Sequence, residues 1–301
     1  MRQYVTQDTP DTHGLLTVRG KDYRYMKQVL RLSAGDMLNV RLPDGRLQGM
    51  TVCKIEEASK RIILQVCAAS PAELGADSAQ GGAATAAEPT QADDTAQLEL
   101  WLFQFVARSA KMDTIIRQAT ECGVSVIVPV IGEFSQAGAK ERNFRGDRYE
   151  RIIKEARQQS GSAVNTRVLA AHTLAEAIAL WNAHCAERCT PDTTGASCSA
   201  LGLVLYERTE QTKPLHAAVA QALHLTAQHA PDDRHPTALT AALVCGAEGG
   251  ISPAELTQLI TAHFVPIHFK TNILRCETAA LYGIAALQTA VSEGKLWQCK
   301  E

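Results

Sequence analysis

Five apolar runs recur along the chain after residue 97, and segments with helical spacing of apolar positions separate them. The runs are LELWLFQFV (98–106), VSVIVPVI (124–131), ALGLVLY (200–206), TALTAALVC (237–245) and HFVPIHF (263–269). Continuous apolar runs of this length that alternate with helices are typical of buried parallel strands. The pattern therefore predicts an α/β domain with a parallel sheet over residues 98–301.

The first 70 residues follow a different pattern, with short β-rich segments between turns. Residues 36–69 place one turn at Pro43-Asp44-Gly45 and another around Ser59. This spacing is typical of a small antiparallel β-barrel, which we predict over residues 1–70. Residues 71–97 are rich in Ala, Gly, Ser, Asp and Pro and offer little to bury, so they are predicted to be a flexible linker.

Charge is distributed unevenly along the 301 residues, although the net charge is only −2. Residues 1–70 carry 11 Lys/Arg against 7 Asp/Glu, whereas residues 71–100 carry six acids and no base. A second basic run, residues 140–157, fits either a nucleic-acid surface or a solvated helix face. The nearly neutral total therefore does not exclude a nucleic-acid partner.

Cysteine usage and hydropathy indicate the compartment. The nine cysteines include no C-x-x-C pair, which favours reduced thiols over a disulfide frame. Cys185, Cys189 and Cys198 lie in a polar insert, but without a C-x-x-C pair reduced thiols are favoured over a zinc site, so no metal is expected. With no apolar stretch long enough to span a bilayer and no signal-like start, we expect a cytoplasmic protein without a membrane partner.

The stretch VCGAEGGIS (244–252) places three glycines around one glutamate at the end of a predicted strand. Ser252 is a candidate N-cap, and Glu255 completes a capping box around Pro253. Neither Gly-Lys-Ser/Thr nor G-x-G-x-x-G is present, and Glu248 would repel phosphate, so a phosphate or dinucleotide loop is disfavoured. Two interpretations remain: glycines that admit a close ligand, or a tight turn that needs positive φ.

A second candidate loop follows the last predicted strand. NILRCETAALYGIAALQ (272–288) places an arginine and a glutamate at the entry of a helix with small apolar residues. The segment KMDTIIRQATECGVSVIVPV (111–130) reads as a helix that ends at Gly123 and leads into a strand. Because ligands of open α/β sheets bind at the carboxyl ends of the strands, the two late loops are predicted to close on one ligand.

These segments resemble the SPOUT-superfamily methyltransferases that methylate N3 of a uridine in 16S ribosomal RNA. QVLRLSAGDMLNV (28–40) resembles their N-terminal PUA-like module, and KMDTIIRQATECGVSVIVPV and RYERIIKEARQQSG (148–161) resemble two later segments. CGAEGGISPAEL (245–256) is similar to their Gly-Pro-Glu-Gly-Gly loop, with Ala247 in place of proline. ILRCETAALYGIAALQ (273–288) is similar to their closing segment, with Cys276 in place of threonine.

The resemblance implies a deep trefoil knot in the C-terminal domain, S-adenosylmethionine bound bent among the knotted loops, and a homodimer whose interface helps to form the site. It also implies a PUA-like β-barrel that binds RNA, with 16S rRNA in the small ribosomal subunit as the partner. The chain departs from the family pattern where glycine and arginine usually precede the closing segment, since it has Lys270 and Asn272 there. It also has Ser162 and Phe134 where arginines are usual.

Candidate site residues fall into three groups: the first two follow from the resemblance, and the third mainly from the excess of basic residues in 1–70. Arg275 is the candidate for contacts to RNA or to a uracil anion, and Glu277 for holding that arginine or taking the proton, unless both form a structural ion pair in the knot. Backbone groups that would meet the adenosyl moiety belong to Gly246, Glu248, Gly249, Ile273 and Leu274. Candidate RNA contacts are Arg19, Lys21, Arg24, Lys27, Arg31 and Lys111.

Two other functions fit the same residues. The chain could be an rRNA-binding or ribosome-assembly protein that kept the fold and lost turnover. It could also be a SPOUT methyltransferase that modifies another ring nitrogen or a ribose hydroxyl.

Overall fold

The computed structural model describes residues 3–67, 98–135, 146–188, 198–208, 212–227 and 238–293, which group into two compact units. The first unit contains the described residues before 68 together with Lys154–Asn165, and the second contains the other described residues. The predicted linker, residues 71–97, lies outside the described residues, as do most of the polar inserts near 187–200 and 226–237.

The first unit is built on a five-stranded sheet. Its elements are β1 (Gln3–Val5), β2 (Leu15–Arg19), α1 (Gly20–Arg24), a π-helical turn (Tyr25–Val29), β3 (Met37–Arg41), β4 (Leu47–Glu56) and β5 (Arg61–Val66). The strand order is β1-β3-β4-β5-β2, and every pairing except β1 with β3 is antiparallel. The antiparallel strands and the turn at Gly45, where φ is +84°, are as the sequence predicts.

Residues Lys154–Asn165 belong to this first unit, although the sequence predicted one continuous domain from 98 onward. Hydrogen bonds between this segment and side chains of residues 3–67 explain why it groups with the first unit. The Gln3 amide donates to the carbonyl of Arg157 at 2.9 Å, and the Lys154 ammonium lies 2.8 Å from the Asp22 carboxylate. The Arg41 guanidinium also donates to the carbonyl of Gly161 at 3.3 Å.

The second unit contains a seven-stranded parallel sheet. Its strands are β6 (Leu98–Phe105), β7 (Val126–Ile131), β8 (Arg167–Val168), β9 (His172–Thr173), β10 (Cys198–Leu205), β11 (Ala238–Cys245) and β12 (Val265–Ile267). The order is β12-β10-β11-β6-β7-β8, with β9 also paired to β7. All five predicted strands are confirmed, whereas β8 and β9, with two residues each, are too short to leave an apolar pattern.

Helices cover both faces of this sheet because successive strand residues point to opposite sides. The helices are α2 (Ser109–Glu121), α3 (Gly146–Ser160), α4 (Leu174–Arg188), α5 (Leu215–Ala227), α6 (Pro253–Thr261) and α7 (Cys276–Glu293). Leu100 and Leu102 of β6 pack with α2, α3, α5 and α7, while Trp101 and Phe103 pack with α4 and α6. Among the described residues, no helix combines the length and apolarity needed to cross a bilayer.

Candidate active site

A cavity of about 460 Å³ opens at the carboxyl ends of β10, β11 and β12. Its walls are the glycine loop (residues 246–251, after β11), the closing loop (residues 268–275, after β12), the end of β10 and Lys111 of α2. Since β11 and β12 both neighbour β10, their following loops emerge on either side of the end of β10. The structure thus brings together the two loops that the sequence predicted to face one ligand.

Two glycines of the glycine loop are required by a tight turn. A Cβ on Gly246 would lie 2.9 Å from the carbonyl carbon of Gly250, closer than any real side chain approaches backbone. Gly250 has φ +78°, which strains other residues, and its N–H donates to the carbonyl of Ala247 at 3.0 Å. The turn also leaves the backbone of Gly246 bare on the cavity wall. The glycines can therefore both form a tight turn and admit a close ligand.

From its place in the loop, Gly249 was expected to make room for a ligand. In the structure, the group next to Gly249 is the side chain of Phe134. A Cβ there would lie 2.7 Å from the Cβ of Phe134, which follows β7. The absence of a side chain at Gly249 therefore admits Phe134 against the loop.

The capping box predicted at the start of α6 is confirmed. The Ser252 hydroxyl accepts from the Glu255 N–H at 3.3 Å, and the Glu255 carboxylate accepts from the Ser252 N–H at 2.9 Å. The other oxygen of that carboxylate accepts from the N–H of Glu133 at 2.6 Å. One side chain consequently fixes both the end of the glycine loop and the loop after β7.

Lys111 joins the glycine loop to the start of α7. Its Nζ lies 3.1 Å from Oε2 of Glu277 and 3.9 Å from Oε1 of Glu248. Glu248 Oε1 also accepts from the N–H of Arg108 at 3.2 Å. Sequence analysis gave Lys111 as a candidate RNA contact and Glu277 as the residue that holds Arg275 or takes the proton. In the structure the side chains of Lys111 and Glu277 pair with each other.

The protonation states in this cluster follow from its hydrogen bonds. Burial raises the pKa of the Glu277 carboxyl, but a main-chain hydrogen bond and those from Lys111 and Cys276 outweigh it, so the pKa is below its ordinary value. The hydrogen bond to Glu277 raises the pKa of the Lys111 ammonium. Burial and the hydrogen bond to Glu277 raise the pKa of the Cys276 thiol to about 11, so it stays protonated. Glu277 is consequently a weak base.

Arg275 supplies a different kind of positive charge. It precedes α7, its side chain is exposed, and it lines the cavity. Its guanidinium makes no hydrogen bond or ion pair with the residues that the structure describes, although its carbonyl accepts from the N–H of Ala279 at 2.7 Å. Nearby Ile273 is 86% exposed and Leu274 is half-buried, and both line the same cavity.

The basic residues predicted to contact RNA from the first unit lie between the end of β2 and the residues after the π-helical turn. Arg19, Lys21, Arg24 and Arg31 are exposed. Lys27 is half-buried, and its Nζ lies 3.8 Å from the Glu57 carboxylate. Exposed cations at this spacing fit contacts to phosphates.

Sequence reasoning missed Glu207 and Phe134. Glu207 follows β10 and lines the cavity, with a carboxylate oxygen 3.3 Å from the position of a Cβ on Gly250. The rule that ligands bind at the carboxyl ends of strands, applied to ALGLVLY as it was to the later strands, would have found Glu207. Among the described residues, no group of histidines, cysteines and carboxylates is placed to hold a metal ion.

Lys111→Met is expected to lower the thermal unfolding temperature at neutral pH, by a margin that narrows in acid. The depressed pKa of Glu277 contributes stability above the unfolded value of about 4.3, and this contribution is lost as the pH falls through the folded value. The pair with Lys111 disappears from the wild type over the same range. Unfolding temperatures from about pH 7 to pH 3 check this, and Lys270→Met, an exposed cation outside the cavity lining, is the control. If the difference in unfolding temperature between the wild type and Lys111→Met stayed constant with pH, the ion pair between Lys111 and Glu277 would not be its cause.

A model of the RNA methyltransferase domain family matches residues 94–288 of the chain. The chain belongs to this RNA methyltransferase family. The matched segment includes the glycine loop, the closing loop and Lys111, so every wall of the cavity lies inside the methyltransferase domain.

Curated relatives and solved structures extend the comparison to both units. The methyltransferase is 22% identical over 282 residues to ribosomal RNA small subunit methyltransferase E of Bacillus subtilis, covering 92% of each chain. It is 27% identical over 190 residues to the protein of that name from Aquifex aeolicus, covering 63% of this chain and 68% of that protein. The crystal structure of the Neisseria gonorrhoeae protein of that name, bound to S-adenosylmethionine, matches with TM-score 0.64 and 22% identity over 96% of this chain and 97% of that one. This last match shows a shared fold.

Proposed function

We propose that this methyltransferase transfers a methyl group from S-adenosylmethionine to N3 of a specific uridine in 16S rRNA of the small ribosomal subunit, in the cytoplasm. The observation that carries the proposal is a cavity lined both by the bare backbone of Gly246 and by Arg275, whose guanidinium has no partner among the described residues. Membership of the RNA methyltransferase family supports the reaction class. The names of the relatives support rRNA of the small subunit as the substrate.

The cavity fits the cofactor in size and chemistry. Its volume of about 460 Å³ lies within the range of roughly 300–1,000 Å³ typical of small-molecule sites. Leu205, Ile267 and Leu274 give it an apolar wall suited to an adenine ring. We propose that main-chain groups of the glycine loop and of Ile273 and Leu274 hold the adenosyl moiety.

Within the glycine loop the proposed contacts come from Gly246, Glu248 and Gly249. The side chain of Glu248 is already engaged by the N–H of Arg108 and by Lys111, so its part in cofactor binding is through the main chain. The carboxylate of Glu207, at the other side of Gly250, is placed to accept hydrogen bonds from the polar part of the cofactor.

S-adenosylmethionine supplies an activated methyl group on a sulfonium. The contribution of the chain is to hold donor and acceptor in line and to exclude water, which reduces the barrier by pre-organisation. N3 of uracil must give up its proton, which would pass to water because Glu277 is a weak base, and the resulting negative charge needs a fixed cation. Arg275 is that cation in our proposal, because Lys111 is already paired with Glu277.

The proposal extends to the architecture implied by the family resemblance. We propose that the segments around the cavity form the trefoil knot, since the loops after β10, β11 and β12 all line the cavity. We propose that the first unit is a PUA-like RNA-binding barrel, which its five-stranded sheet supports. Exposed apolar side chains at Ile260 of α6 and Tyr282 of α7 support a homodimer.

Mapping of modified nucleotides tests the proposed function. In small subunits from cells that lack the gene, mass spectrometry of 16S rRNA should find one N3-methyluridine missing, and the purified protein with S-adenosylmethionine should restore it. Calorimetry should detect micromolar binding of S-adenosylmethionine. Loss of a different methyl mark would redirect the target, while absence of cofactor binding would indicate an RNA-binding protein without turnover.

Replacement of the exposed cations of the first unit should weaken RNA binding in a salt-dependent way. Each phosphate contact contributes about 0.7–0.9 to the slope of log affinity against log salt. A variant with glutamine at Arg19, Lys21, Arg24 and Arg31 should therefore bind 16S rRNA with a shallower slope. Arg46→Gln is the control, because Arg46 already pairs with Asp44 at 2.6 Å. A variant with the wild-type slope would place the RNA contacts elsewhere.

A further inference from the structure

Phe134 presents an aromatic ring beside the glycine loop. The residue is 46% exposed, although a large apolar residue of this kind usually lies buried. Its Cβ lies 2.7 Å from the position that a Cβ on Gly249 would occupy, so the residue packs directly on a wall of the cavity. The ring thus lies at the carboxyl edge of the sheet, where the site is.

The loop that carries this ring is held firmly. The Gly132 N–H donates to the Ser135 hydroxyl at 2.9 Å, and the Ser135 N–H donates to the Gly132 carbonyl at 3.1 Å. The Glu133 N–H donates to the Glu255 carboxylate at 2.6 Å. Gly132 has no space for a side chain, since a Cβ there would lie 2.7 Å from that carboxylate and would also meet the ring of Phe105. Exposure of Phe134 is therefore a property of a fixed turn.

Two exposed arginines belong to segments that contact the glycine loop or line the cavity. Phe134 contacts Gly249, and the preceding residue, Glu248, is bonded by the N–H of Arg108, whose side chain is exposed. Arg275 supplies a second exposed cation on the cavity wall. Aromatic rings next to cations are how proteins hold unpaired nucleotides: the bases stack on the rings and the phosphates meet the cations.

We propose that Phe134 stacks on an unpaired base of the RNA substrate at the mouth of the cavity, next to the nucleotide that is methylated. The inference rests on the proposed function and deepens it, because it assigns a residue that selects single-stranded RNA. Stacking needs a flat π surface, whereas a purely apolar contact needs only area. Phe134→Leu separates these two possibilities, since it keeps apolar bulk and removes the ring.

The test compares Phe134→Ala, Phe134→Leu and Phe134→Trp, with small ribosomal subunits that lack the methyl mark as the RNA. Alanine and leucine should each raise KM and Kd for the subunits by about tenfold, while kcat and the affinity for S-adenosylmethionine stay within about twofold. Tryptophan should bind as the wild type does, and its fluorescence should be quenched by the RNA. Leu180→Ala, an exposed apolar residue of α4 outside the cavity lining, should change none of these values.

Three results would overturn the inference. The first is a wild-type KM for small subunits in Phe134→Ala, and the second is a wild-type affinity for small subunits in Phe134→Leu. The third is a changed sedimentation coefficient of the Phe134→Ala protein, which would show that the ring is a contact between two copies of the chain. If the wild type itself neither binds S-adenosylmethionine nor methylates the subunits, the proposed function fails instead. The two failures are therefore distinguishable.

Discussion

Arg275→Ala is expected to slow methyl transfer by about 100-fold or more, the scale of losing one pre-organised group that stabilises developing charge. The guanidinium lines the cavity and has no partner among the described residues, so its removal breaks no ion pair in that part of the chain. Affinity for S-adenosylmethionine should barely change. Arg275→Lys should restore the rate only partly, because an ammonium is a point charge and a guanidinium a planar fork.

Single-turnover methylation of small subunits measures this effect, with cofactor binding measured separately by calorimetry. Lys270→Ala is the matched control, since Lys270 is an exposed cation of the same closing loop that does not line the cavity. A normal rate in Arg275→Ala, or a loss explained wholly by weaker cofactor binding, would remove Arg275 from the catalytic role.

Gly246→Ala is expected to abolish measurable cofactor binding while the protein stays folded. The added Cβ would lie 2.9 Å from backbone of Gly250, which cannot move aside as a flexible side chain can. The turn must open, and the main-chain groups that we propose to hold the adenosyl moiety shift with it. Calorimetry with S-adenosylmethionine and circular dichroism provide the two readouts.

Gly123→Ala is the control for backbone strain. Gly123 has φ +77° after the end of α2, at the opposite end of that helix from Lys111, and alanine there costs roughly 1–3 kcal/mol. It should lower stability and leave cofactor affinity unchanged. If Gly246→Ala bound the cofactor normally, the glycine loop would lose its proposed role.

Local sequence patterns predicted the parts of the fold that depend on neighbouring residues. Five of the seven strands in the second unit left continuous apolar runs, and the capping box of α6 needs only Ser252 and Glu255, three positions apart. By contrast, Lys111 and Glu277 meet across 166 positions, and their sequence spacing carries no sign of the pair. The sequence suggested Arg275 as the partner of Glu277 because both lie in one segment, whereas Lys111 reaches this carboxylate only through the packing of α2 against α7.

The site itself was partly predictable. Both loops that line the cavity followed from the rule about the carboxyl ends of parallel strands. Gly249 was interpreted through its own loop alone, and the contact with Phe134 depends on how the turn after β7 folds back. The grouping of Lys154–Asn165 with the first unit likewise depends on hydrogen bonds from Gln3 and Arg41, which lie more than 100 positions away in the chain.

The two oxygens of the Glu255 carboxylate constrain the lengths of two loops in relatives of this enzyme. Because one oxygen ends the glycine loop and the other fixes the turn after β7, the lengths of these two segments cannot change independently. An insertion in either would move the carboxylate away from its second partner and leave a main-chain N–H without an acceptor. Both of these segments should therefore keep their lengths among relatives that retain this glutamate.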